Sequence, residues 1–180
     1  LESLENKNPA DIDGLTPLHL AAQNGHLKVC ELITEGLEDK NPGSNRGLTP
    51  LHFAAIDGHL KVCELFMDCL ENKNPADIDG LTPLHIAAES GHLKVCELIM
   101  EGLVDKNPGS NIGITPLHFA AQHGHLNVCE FIMEGLVDKN PADNDGRTIL
   151  HIAALNGQLK ICELIIEGID DKNPTQHDGK

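Results

Sequence analysis

The sequence contains no Trp and no Tyr, and only four Phe among 180 residues. A core without large rings must be built from many small aliphatic contacts, which suits thin layers better than one thick globule. Cations are also scarce. Thirteen Lys and Arg face 28 Asp and Glu, for a formal net charge of −15. That balance argues against nucleic-acid backbones and anionic membrane surfaces as partners, because both require clustered positive charge. It favours solubility and a basic partner. No apolar run approaches the roughly 18 residues of a membrane helix, and no signal peptide opens the chain. The first residue is Leu1, not Met, which reads as the cut edge of a longer protein.

What the sequence has in abundance is repetition. Thr16, Thr49, Thr82, Thr115 and Thr148 stand 33 residues apart. Each opens nearly the same word: TPLHLAA, TPLHFAA, TPLHIAA, TPLHFAA and TILHIAA. Cys30, Cys63, Cys96, Cys129 and Cys162 keep the same register, and KNP recurs six times from Lys7 to Lys172. A longer period lies above this one. Leu4 to His19 is repeated letter for letter from Leu70 to His85, and the turns alternate between ADxDG and GSNxG. Duplication in two-repeat blocks or construction from a consensus would each leave that pattern.

The word itself encodes two helices. Gly14 frees the backbone in the turn from Asp11 to Leu15. Thr16 is an N-cap hydroxyl and Pro17 occupies the first helical position, where a missing N–H costs nothing. Leu18, Ala21 and Ala22 give a short helix with a small-residue face, ended by Gly25. A second helix is expected from about His26 to Glu35, with Leu27, Val29, Cys30, Leu32 and Ile33 as its apolar stripe. One unit cannot bury this stripe, whereas stacked units can.

A 33-residue unit carrying TPLHxAA and then GHLKVCELI resembles the ankyrin repeat, over nearly the whole chain. The resemblance implies an all-α solenoid of stacked helix-turn-helix units with protruding hairpin-like turns. Its expected divisions are the tail of a truncated repeat (1–10), repeats at 11–43, 44–76, 77–109, 110–142 and 143–175, and the start of another at 176–180. The segment after the second helix departs from the family pattern. Gly36-Leu37-Glu38-Asp39-Lys40-Asn41-Pro42 puts Lys40 where the family carries an apolar Val. Leu37, Leu70, Leu103, Leu136 and Ile169 are expected to replace that packing.

The resemblance makes His19, His52, His85, His118 and His151 structural, bonded to the Thr hydroxyl and nearby backbone. His26, His59, His92 and His125, with Gln158 in the fifth place, read as hydrogen-bonding residues heading the second helix. His123 and His177 break the pattern. Disulfides between the five in-register Cys are not expected. Stacked helices would hold them about 8–10 Å apart, beyond the roughly 7 Å that a bridge spans between Cα atoms. Buried free thiols suit a reducing compartment. Cys69 differs, since it replaces a helix-ending Gly and should be the accessible thiol.

Asp11 to Gly14, Asp77 to Gly80 and Asp143 to Gly146 faintly resemble calcium loops, but they lack the distal bidentate Glu and read better as turns. No P-loop, dinucleotide fingerprint, HExxH or nucleophile elbow is present. No enzyme activity, metal or cofactor is expected, because catalysis needs a unique constellation and nearly everything here recurs.

Ankyrin partners lie in a groove lined by the turn tips and the exposed side of the first helices. Carried onto this chain, those positions are Ile12, Asp13, Leu15, Gln23 and Asn24, followed by Asn45, Arg46, Leu48, Ile56 and Asp57. Ile78, Asp79, Leu81, Glu89 and Ser90 come next, then Asn111, Ile112, Ile114, Gln122 and His123, and last Asn144, Asp145, Arg147, Leu155 and Asn156. The apolar tips Ile12, Leu15, Leu48, Ile78, Leu81, Ile112 and Ile114 read equally as a stripe for a peptide or as packing between tips. Leu20, Phe53, Ile86, Phe119 and Ile152 read as core. The resemblance implies a monomeric, intracellular, protein-binding adaptor, cytoplasmic or nuclear, for a basic or aliphatic-rich partner. A spacer in a longer array, a regulatory module of a larger enzyme and a designed scaffold are the alternatives.

Overall fold

A computed structural model describes residues 7–170. The segments Leu1-Glu2-Ser3 and Gln176 to Lys180, and with them His177, lie outside the described residues, as does the side chain of Ile169. Ten helices occupy the described chain: α1 (Pro17–Gln23), α2 (Leu27–Thr34), α3 (Pro50–Ile56), α4 (Leu60–Cys69), α5 (Pro83–Glu89), α6 (Leu93–Glu101), α7 (Pro116–His123), α8 (Leu126–Glu134), α9 (Ile149–Leu155) and α10 (Leu159–Asp170). Odd-numbered helices pack in one row and even-numbered helices in a second, each helix also touching its own pair-mate. The chain is an all-α solenoid.

Each short helix starts where its first donors are satisfied. Thr16 sits at the N-cap in an extended conformation (φ −107°, ψ 163°) and Pro17 needs no acceptor. The Leu18 N–H donates to Asn8 Oδ1 at 3.0 Å. Thr16 and His19 complete a reciprocal capping box, with the Thr16 N–H donating to His19 Nδ1 at 3.0 Å. The Asn contact recurs for Asn41, Asn74, Asn107 and Asn140, always ten residues before the donor. KNP is therefore a long-range helix cap. At the other end Gly25 takes φ +68°, and a Cβ there would lie 2.6 Å from the His59 ring. Only glycine lets the next unit come that close.

The core lies between the two rows. Paired alanines such as Ala54 and Ala55 bring the short helices together, and Val, Cys, Ile and Met side chains of the second helices fill the far side. Leu37, Leu70, Leu103 and Leu136 pack partly buried against this core, as the departure from the family pattern suggests. Lys106, at the family's Val position, donates its Nζ to the Met100 carbonyl at the end of α6.

Burial depends on neighbours. Val62, Val95 and Val128 are buried, whereas Val29 on α2 is 44% exposed and Leu32 is 69% exposed, because among the described residues nothing packs on the outer side of that helix. The stripe predicted for the first unit is therefore half open. Leu20, read as core, is also exposed, and Phe53, Ile86, Phe119 and Ile152 are half-buried. Phe53 and Phe119 meet the rings of His19 and His85 at near right angles, and Ile86 packs partly buried against the core.

Imidazoles join the units at two seams. His19 Nε2 donates to the Leu48 carbonyl of the next turn at 3.0 Å, and His52, His85 and His118 do the same to Leu81, Ile114 and Arg147. His59, His92 and His125 do not cap their own helices through their side chains. They reach back instead, donating to the carbonyls of Gln23, Ile56 and Glu89 at 2.9, 3.0 and 2.9 Å. Gln158 makes the equivalent contact to Gln122 at 3.4 Å.

Burial holds His52 and His85 at about 4, below the ordinary 6.5, and lowers His19 and His118 as well. Protonated Nδ1 has no lone pair left for the Thr N–H. The folded values lie below the unfolded ones, so this stability is complete above pH 6.5 and declines as pH falls towards 4. Moving from pH 7 to pH 5 should cost about 2 kcal/mol for each of His52 and His85. Thermal unfolding across that range checks this, with ring Cε1–H resonances of the two histidines staying unprotonated at pH 5.5. A flat stability profile contradicts it.

All six cysteines are unpaired, with Cys69 and Cys162 less buried than the other four. The expectation that Cys162 is as sheltered as its equivalents fails, because no further helix covers it among the described residues. Burial pushes the thiols of Cys63, Cys96 and Cys129 up to about 12 and that of Cys30 to about 11. A maleimide should therefore modify Cys69 and Cys162 in the native state well before Cys63, Cys96 and Cys129. Peptide mapping of partially labelled protein reads the order, and equal labelling of all six would mean that the second-helix row is not packed as described.

Candidate protein-binding groove

The turn tips and the outward side of the odd-numbered helices form one continuous row of candidate residues. Each tip closes on itself through two backbone bonds, as from Asp11 N to Leu15 O at 2.8 Å and from Gly14 N to Asp11 O at 3.0 Å. Consecutive tips are then laddered together: Asn45 N to Asp13 O, Ile78 N to Arg46 O and Asn111 N to Asp79 O, all at 3.0 Å, and Asn144 N to Ile112 O at 3.1 Å. The tips are thus held in fixed register by backbone bonds.

The apolar tip residues separate into two sets. Ile12 is 93% exposed, and Ile78 and Ile112 are each 59% exposed. Leu15, Leu48, Leu81 and Ile114, which follow the turn glycine, are half-buried. The carbonyls of the last three receive the histidine bonds already described, which draws them inward. Exposure thus divides the stripe: Leu15, Leu48, Leu81 and Ile114 are sheltered, and Ile12, Ile78 and Ile112 stand open.

Several expected contact residues are engaged within the protein. Asn45 and Asn111 donate their amides to the Ile12 and Ile78 carbonyls at 2.9 Å, and Asn144 to the Asn111 carbonyl at 3.2 Å. Asn24 and Asn156 bond to the carbonyls of Leu20 and Ile152, and His123 Nδ1 to that of Phe119, each closing the end of its own helix. Gln23, Ile56, Glu89 and Gln122 offer their carbonyls to the next unit and keep their side chains. Leu155 is exposed, while among the described residues Asp57 and Ser90 make no side-chain bond.

The groove's cations are neutralised in place. Arg46 pairs with Asp79 at 3.0 Å, and Arg147 with Asp143 and Asp145 at 2.9 and 3.2 Å. Desolvation opposes ionisation of Asp143, but the N–H groups of Arg147 and Asp145 and the guanidinium of Arg147 outweigh it and hold the carboxyl below its ordinary value. Among the described residues Asp13, Asp57 and Glu89 have no cationic partner, so the row is net acidic. Across the molecule, Lys28–Glu31, Lys61–Glu64, Lys94–Glu97 and Lys160–Glu163 form a repeating series of surface pairs, interrupted in the fourth unit where Asn127 replaces the Lys. Such pairs contribute little to stability and differ little from unit to unit.

The chemistry that suggested calcium is consumed by the turns. Asp11 Oδ1 accepts from Asp13 N and Leu15 N, Asp77 Oδ1 from Asp79 N and Leu81 N, and Asp143 Oδ1 from Asp145 N and Arg147 N. Among the described residues no three His, Cys, Asp or Glu side chains converge to hold a metal ion, and no helix is long and apolar enough to cross a membrane. Ser110, absent from the expected site residues, lines a cavity at the tips. The alternation of ADxDG with GSNxG was the signal that two kinds of turn would differ here.

A family model described as ankyrin repeats (3 copies) matches residues 32–109 and 99–176, and a model of the single ankyrin repeat matches residues 13–42. No curated protein matches the chain.

Proposed function

The chain belongs to the ankyrin repeat family, whose repeats are generally protein–protein interaction modules, and from that membership we propose that it is a scaffold holding a partner protein along the row of turn tips and first helices. Family members are typically not enzymes, and a binding role inside the cell, in the cytoplasm or nucleus, accords with six unpaired cysteines. The observation that carries the reading is the separation of frame from face. Bonds that join units use backbone groups, histidines and turn residues, while Gln23, Ile56, Glu89 and Gln122 occupy one equivalent position with three different side-chain types that the seams do not use. Variation at an invariant position is what discrimination between partners requires. The near-identity of the first and third units favours a spacer role as the second reading, since a tuned site needs differences between units.

Ile78→Ser with Ile112→Ser removes exposed tip side chains without touching the histidine seams. This double variant should lose about tenfold or more in affinity for any captured partner, by the cost of unburying two aliphatic groups. Glu64→Gln with Glu97→Gln, on the opposite side, should change affinity less than twofold. Quantitative capture from cytosol, followed by titration of the recovered partner, gives both numbers. The reverse pattern places recognition on the acidic back, and no captured partner supports the spacer.

A further inference from the structure

Between the third and fourth turn tips lies a cavity of about 230 Å³. Leu81, Ile112, Ile114 and Phe119 supply its apolar walls, and Asp79, Asn111 and Ser110 its polar groups. Two of the polar groups are already engaged. Arg46 holds the Asp79 carboxylate at 3.0 Å, and the Asn111 amide donates to the Ile78 carbonyl at 2.9 Å. The third is not. Ser110 Oγ is sheltered from solvent and makes no hydrogen bond. In the preceding turn the equivalent position is Asp77, whose carboxylate takes the N–H groups of Asp79 and Leu81 at 2.9 and 2.8 Å. Serine is one atom shorter and does not replace that double contact. A buried hydroxyl without a partner is costly, so the fourth turn carries a polar group whose bonding capacity is unused within the protein.

The surroundings define what would use it. The same row of residues carries the unpaired carboxylates of Asp57 and Glu89, while its arginines are already neutralised. We infer that this cavity receives one branched aliphatic side chain from an extended, basic segment of a partner protein. The Ser110 hydroxyl turns about its Cα–Cβ bond from its sheltered position to meet the backbone of that segment, whose Lys or Arg side chains lie towards Asp57 and Glu89. An extended backbone is required because it points alternate side chains away and leaves peptide groups free beside the inserted one. Asp79 stands in Ile112's place one interval earlier and Arg46 two intervals earlier, and each puts a charge in that wall, so the third interval is the one suited to an aliphatic group. The inference rests on the groove being the binding face.

The probe is a set of capped nine-residue peptides with a central Leu, Ile or Val and flanking Lys, titrated against the whole chain by fluorescence anisotropy. Parallel sets carry central Ala or Ser, or Glu in place of Lys. The aliphatic Lys peptides should bind at least about tenfold more tightly than the Ala, Ser and Glu sets. Ser110→Ala should weaken them by roughly three- to tenfold without lowering the unfolding temperature, since the hydroxyl bonds to nothing in the free protein. Glu89→Lys should shift preference towards the Glu peptides. If no aliphatic peptide binds, or the central residue and Ser110→Ala make no difference, the inference is overturned. Where Ile78→Ser with Ile112→Ser still abolishes partner capture, that failure belongs to the pocket chemistry and the groove reading stands.

Discussion

The imidazole that opens each first helix faces three ways. In the second unit, His52 Nδ1 accepts the Thr49 N–H at 3.0 Å and lies 2.9 Å from its hydroxyl, while Nε2 donates to the Leu81 carbonyl at 3.2 Å. A carbonyl only accepts, so the proton resides on Nε2 and Nδ1 is free to accept. The ring must therefore be neutral, and burial enforces the same state. From this one bond the next turn's carbonyl is fixed in position. The turn then offers its other groups to the following tip, and the ladder of tips is set. A charged or misplaced ring would disturb the helix start and the next turn together.

The second seam lies at the opposite end of the same short helix. His59 reaches the Gln23 carbonyl, and its ring stacks where any side chain on Gly25 would stand. Each interior first helix is thereby pinned at both ends through backbone carbonyls and imidazole rings, buried at the first seam and half-buried at the second. Neither seam uses a groove side chain. Substitutions at Ile56, Glu89 or Gln122 consequently carry little structural penalty, and Arg46 and Ile112 can exchange at one tip position within one frame. The histidine seams and the side chains at these positions are different atoms, which is how a regular stack presents an irregular surface.

The helices, their starts and the stacking were legible because each depends on residues close in sequence: Thr, Pro, the Ala pair and glycine within one word. The KNP asparagine was not legible as a cap, since its donor lies ten residues away and no local rule links them. Exposure of Leu20 was missed for another reason. An apolar residue between His and Ala reads as core by periodicity, but the small Ala pair already fills the helix-to-helix contact and turns its neighbour outward. The tips could not be divided from composition, because Ile78 and Leu81 are chemically alike and only the histidine bond to Leu81 distinguishes them. Ser110 was hidden by its ordinariness, and becomes informative only beside the bonds made by Asp77.

Equivalent residues at the two ends show how far position governs burial. Val29 and Val62 occupy the same place in the word, yet one is 44% exposed and the other 1%. His118 is buried while His151, with the same bond to its own threonine, is exposed. In a stack each unit is stabilised mainly by contacts with its immediate neighbours, so units packed on both sides hold their side chains most firmly. The third and fourth units have that support in full, and the tips flanking the cavity are tied by Asn111 to Asp79 and by Asn144 to Ile112. A site there begins with its walls already ordered, so less ordering is left for a ligand to bring about on binding. The same apolar cluster at an outer tip would have to be organised by the partner itself, so for equal aliphatic contact a ligand at the central tips would lose less to ordering.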